Sequence, residues 1–130
     1  MKIKLPSPTV YKEILDTVNS LSWFLMDGFW MLGVPKLGYF FILPTIVTGF
    51  LLLLVEKRPA ITLINVAIFF WILMNTFWML SETLQNPTLL LVARISFGLG
   101  VSAILVAAFV SKDLRDTFSH FRRFRVLKWH

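Results

Sequence analysis

The sequence predicts an all-α membrane protein with four transmembrane helices, and three observations carry that prediction. Of the 130 residues 57% are hydrophobic and only 15% charged, with a mean hydropathy of +0.75. A soluble domain holds about 45–50% apolar and about 25% charged residues. The apolar excess gathers into four runs, at about 15–33, 37–55, 60–81 and 88–110. Each approaches the roughly 20 helical residues that a bilayer crossing needs. Lysine and arginine collect at alternate ends of these runs, as they do in proteins threaded through a membrane.

The opening residues Met1 to Pro8 read as a short basic arm, because Pro6 and Pro8 deny it a helix. Ser7 or Thr9 then caps a helix, with Pro8 tolerated in the first turn. Val10 to Ser20 is amphipathic, with Lys12, Glu13 and Asp16 among Val10, Ile14, Leu15 and Val18. It runs without a break into the first apolar stretch, so one helix from about Thr9 to Leu32 is expected. A cleaved signal peptide fits poorly. The segment is long, carries acids, is interrupted by Asp27 and lacks a small-residue cleavage site.

Gly33-Val34-Pro35-Lys36 is a stop signal, and the second span follows. Pro44 removes a backbone donor inside it and predicts a kink there, while Thr45, Thr48 and Gly49 offer one side for close helix packing. Glu56-Lys57-Arg58-Pro59 is a tight charged turn. The third span ends in a loop from Ser81 to Pro87, and the fourth carries Gly98, Gly100, Ser102, Ala103 and Ala107, again small-residue packing chemistry.

Residues 111–130 form a basic tail. On a helical wheel Leu114, Phe118, Phe121, Phe124 and Trp129 group on one side, with Arg115, Arg122 and Arg123 largely away from them. This predicts an amphipathic interfacial helix, its basic groups toward anionic lipid headgroups and Phe118, Phe121, Arg122, Arg123 and Trp129 as the anchor. The plainer alternative is a basic tail that only sets topology. The +6 net charge does not indicate nucleic acid, since the basic residues lie beside apolar ones at a membrane edge.

Lys2, Lys4 and Lys12, then Lys57 and Arg58, then the six basic residues Lys112, Arg115, Arg122, Arg123, Arg125 and Lys128 fall on one side, against Lys36 alone on the other. The positive-inside rule places both termini in the cytoplasm, with a bacterial inner membrane as the expected setting.

A short repeat crosses these spans. Trp23-Phe24-Leu25-Met26-Asp27-Gly28-Phe29-Trp30-Met31-Leu32 aligns without a gap on Trp71-Ile72-Leu73-Met74-Asn75-Thr76-Phe77-Trp78-Met79-Leu80. Trp23, Met26, Asp27 and Trp30 share one helical face, as do Trp71, Met74, Asn75 and Trp78, and Glu82 extends the second stripe. This predicts two similar helix hairpins side by side. A chance match in apolar sequence is the alternative.

Asp27 and Arg94 are the ionisable residues within the spans, and each costs about 2.5–3.5 kcal/mol at a helix centre. Asp27 lies six residues before Gly33, Asn75 six before Ser81 and Arg94 six after Thr88. All three therefore sit about 9 Å below the outer surface. An Asp27–Arg94 ion pair joined by Asn75 is expected, with Glu82 above it near the outer mouth. Such a cluster fixes helix register, or forms a ligand or ion site walled by Trp23, Trp30, Trp71 and Trp78, or turns Asp27 or Arg94 toward another subunit.

Catalytic motifs are absent, and an enzyme would need Asp27, Glu82 and Arg94 to act on a lipid-like substrate. It has no cysteine, and its two histidines, His120 and His130, lie in the tail without metal-ligand spacing. Phosphate loops, nucleophile elbows and dinucleotide fingerprints are absent, and no span histidine could ligate haem. In size and in its first-span carboxylate the chain resembles the small multidrug-resistance transporters. The aspartate beside Trp30-Met31-Leu32 and the long tail depart from that pattern, and no membership follows. The expected function is a non-enzymatic membrane protein without cofactor, an accessory subunit or homo-oligomer that packs on other membrane helices. The alternative is a small-solute or cation transporter with Asp27 as its coupling group.

Overall fold

The computed structural model describes residues 7–110, and every regular element among them is helical. The order is α1 (Pro8–Met31), α2 (Pro35–Gly38), a 3-10 turn (Tyr39–Phe41), α3 (Ile42–Val55), α4 (Pro59–Leu84) and α5 (Pro87–Val110). The expected interfacial helix, with Phe118, Phe121, Arg122, Arg123 and Trp129, lies outside the described residues, as does the arm before Ser7.

Local chemistry sets the helix ends. The Ser7 hydroxyl accepts from the Val10 amide and Pro8 takes the first helical position of α1. There its missing N–H costs nothing, because that donor has no partner within a helix anyway. The chain leaves α1 through Gly33 at φ +77°, with Val34 N donating to Phe29 O and Gly33 N to Trp30 O. These two bonds satisfy carbonyls that the last turn would orphan, and a left-handed residue makes them possible. Gln85 does the same for α4 at φ 51°, with Asn86 N donating to Ser81 O. Pro35, Pro59 and Pro87 each open the next helix.

The irregularity expected at Pro44 falls just ahead of it. Pro44 is the third residue of α3, and the 3-10 turn Tyr39–Phe41 precedes that helix. A proline ring crowds the carbonyl four residues back, here Phe40, so an α-turn is hardest to close at that point. Thr45 and Thr48 then donate to the carbonyls of Phe41 and Pro44, at 2.5 and 2.6 Å.

Three stretches are long and apolar enough to cross a membrane: Pro35–Val55, Pro59–Leu84 and Pro87–Val110. They support the membrane and transmembrane-helix reading. α1 is as long as α5, but Asp16, Asn19, Ser20, Ser22 and Asp27 dilute its apolar face.

α1 runs antiparallel along the whole of Pro35–Val55. At one end Gly38 lies so close to α1 that an added Cβ would stand 3.0 Å from Met26 O. In the middle Asn19 reaches Thr45 and Thr48. At the other end Lys12 reaches Glu56. α3 packs in turn on α4, with Phe50 and Phe69 in contact, and α4 pairs lengthwise with α5. The most deeply buried side chains, Met26, Thr45, Ile72 and Met79, come from α1, α3 and α4. α5 turns Ala93, Ser96, Gly100, Ala103 and Ala107 to α4, small residues at helical spacing that let the two backbones approach.

Candidate functional site

The two copies of the repeated motif occupy the C-terminal halves of α1 and α4, and they touch there. Asn75 Nδ2 donates to Asp27 Oδ2 at 3.2 Å. Trp30 and Trp78 pack edge to face, with centroids 5.4 Å apart and planes at 71°. Each of these side chains meets its own counterpart in the other copy. Thr76 Oγ1 donates to Met26 Sδ at 3.7 Å beside them, and Trp30 Nε1 donates to Glu82 Oε2 at 2.9 Å. Glu82 thus holds a tryptophan of the cluster in place.

Asp27 borders a recess of about 400 Å³ that is open on one side and lined by Trp23, Phe24, Trp30 and Asn75 among others. Its Oδ2 is taken by Asn75. Its Oδ1 is shielded from solvent and accepts no hydrogen bond. An ionised carboxylate offers about four lone-pair positions, so this one is under-used. The recess therefore sets the Asp27 carboxyl beside aromatic faces, and a carboxylate and aromatic faces are the two features that hold an organic cation or a guanidinium. No three His, Cys, Asp or Glu side chains converge among the described residues, so metal chemistry has no anchor there.

Two expectations need correction. Among the described residues, Asp27 and Arg94 form no ion pair: the pairs are Lys12–Glu56 and Arg58–Glu56, and Arg94 is exposed on α5. The reason is rotational. Ala93 faces α4, and the next residue points about 100° further round the helix. Arg94 thus leaves the α4-facing stripe by a single step. The aromatic wall also differs. Trp71 is 56% exposed and does not line the recess, and Trp78 supports Trp30 from behind. Phe24, which the repeat did not single out, lines it instead. Height along the helices can be compared by register. α4 and α5 run antiparallel from Gln85, and Arg94 lies nine residues past it, as many as Thr76 lies before it. Gly100 and Phe70 meet on that same register. Arg94 therefore stands level with the Asn75–Asp27 contact, but on an outer face.

Two further polar groups escaped the sequence reading. Asn19, 2% exposed, donates to Thr45 O at 2.8 Å and to Thr48 Oγ1 at 2.9 Å. It joins α1 to α3 at mid-length, and the Thr45-Thr48 pair was the available signal for a polar partner opposite. Glu56, its side chain 3% exposed, is clamped by Arg58 at 3.0 Å and by Lys12. Hydrogen bonds from Arg58 and then Lys12 hold its carboxyl at about 2, against 4.5 for an ordinary glutamate.

Comparison of the chain with protein-family models, curated proteins and solved structures finds no match in any of the three.

Proposed function

We propose that the chain is a non-enzymatic, multi-pass membrane protein with four crossings and both termini on the cytoplasmic side, working as a subunit in an assembly of membrane helices. The fourth crossing is α1. What supports it is that α1 lies along the full length of the apolar stretch Pro35–Val55, from Gly38 to Glu56. A helix locked to a spanning partner at both ends and in the middle shares its path through the bilayer. The repeat supports two related hairpins, α1 with α3 and α4 with α5, since Asp27 meets Asn75 and Trp30 meets Trp78.

The observation that carries the subunit role is Arg94. It is exposed on a helix whose buried face is already spent on α4. Lipid tails cover apolar surface well but leave a buried cation unpaired at a cost of about 2.5–3.5 kcal/mol. A neighbouring chain supplies what lipid cannot. The test is the molar mass of the intact protein in lipid nanodiscs. The expected result is a multiple of the 15.1 kDa chain, or the chain with a further subunit. A lone chain contradicts the proposal.

A second reading has its own observation. Asp27 lines an aromatic recess and its buried Oδ1 lacks a donor, which suits a small organic cation in a transporter. On that reading Asp27→Asn abolishes coupled uptake while the assembly state stays unchanged. On the subunit reading the same substitution weakens assembly.

A further inference from the structure

We propose that the partner is a second copy of this chain, and that Arg94 of each copy enters the Asp27 recess of the other. The inference rests on the subunit reading above and names the contact that reading leaves open.

Four observations lead to it. Asp27 Oδ1 has no donor and Arg94 has no acceptor among the described residues. The two stand at the same depth, fixed by the Gln85 turn and the Asp27–Asn75 bond. They do not meet within one chain, because turning Arg94 toward α1 would pull Ala93, Ser96, Gly100 and Ala103 off α4. The recess, about 400 Å³ and open on one side, has room for an arginine side chain.

The chemistry of the two halves matches. A guanidinium is planar, presents paired donors to a carboxylate, and stacks on indole and phenyl faces. The recess is lined by Asp27, with Trp23, Phe24 and Trp30 beside it. Each chain supplies one such cation and one such anion at that level. A two-fold pair that brings these two surfaces together closes both contacts and leaves neither charge over. A lipid phosphate drawn down to Arg94 would leave Asp27 unmatched, and a free cation at Asp27 would leave Arg94 unmatched.

The 130-residue sequence contains no cysteine, so single cysteines report without background. Copies carrying Asp27→Cys and copies carrying Arg94→Cys, with different tags, are co-expressed and cross-linked in native membranes with a short bis-maleimide. The expected result is a mixed-tag dimer at about tenfold the yield of either variant alone, since paired sites share a high effective concentration. Unsubstituted protein in nanodiscs provides the companion measurement: a dimeric mass is expected, and Arg94→Gln should weaken it about tenfold or more.

A dimer in which residues 27 and 94 do not cross-link between copies overturns this contact and leaves the subunit reading standing. A monomeric unsubstituted protein overturns both. A monomer whose tryptophan fluorescence responds to tetraethylammonium assigns the recess to a free cation instead.

Discussion

Glu56 shows how one side chain can govern one end of the bundle. It ends α3, binds Arg58 two residues on, and receives Lys12 from α1. Its folded-state pKa of about 2 lies below its ordinary 4.5. The stability it contributes is therefore complete above pH 4.5 and is lost as pH falls toward 2. Glu56→Gln is expected to lower stability in detergent by about 1–2 kcal/mol at neutral pH, since both partners recover solvent. The difference from the native protein should vanish in thermal melts taken near pH 2. Asn19 is the other telling residue. Asn19→Ala removes both bonds to α3 and should cost about 1 kcal/mol, the scale of hydrogen bonds between membrane helices, read as a lower midpoint in denaturant titration. Neither residue was legible as a cross-helix bond. Lys12 and Glu56 are 44 positions apart, and Asn19 sits in a stretch that reads as interfacial.

At the scale of elements, helix ends were the most legible feature, because caps and prolines act on their own neighbours. Ser7 and Gly33 mark the observed ends of α1, whereas Pro59 and Pro87, read as parts of turns, open α4 and α5, and α4 runs on to Leu84 through the start of the loop expected from Ser81. The signal at Pro44 was right in kind, and its effect appears in the preceding turn because the clash falls four residues back. Close approach is harder to read from sequence. Gly38 is needed because α2 lies against the backbone of Met26, which cannot move aside as a side chain could. Gly38→Ala is expected to displace α2 from α1 and cost about 1–3 kcal/mol, measured as a lower unfolding midpoint. A change at exposed Leu43 of α3 should leave that midpoint within about 0.5 kcal/mol.

At the scale of the whole molecule, relative height along the helices can be counted from sequence, whereas azimuth cannot. Counting residues from a turn fixes height, since each helical residue adds about 1.5 Å whatever its neighbours are. Which way a side chain points depends on the face the helix gives its neighbour, and α5 gives α4 its stripe of small residues. Arg94 adjoins Ala93 in that stripe and yet faces away. The Asp27–Asn75 contact follows from the repeat, whereas the expected intrachain pairing with Arg94 required a rotation that the packing forbids. The threading is tested by cysteine labelling in sealed vesicles. Lys36→Cys and Gln85→Cys are expected to react from one side and Lys57→Cys from the other. Labelling of residues 36 and 57 from the same side contradicts four crossings.

The measurement that bears most directly on the account is a double-mutant cycle on dimer dissociation in lipid, with Asp27→Asn, Arg94→Gln and the pair together. If the two charges meet across copies, each single change weakens the dimer and the double change is little worse than either, a coupling of about 1–3 kcal/mol. Losses that simply add would mean that Asp27 and Arg94 act on separate partners, and the account would fail.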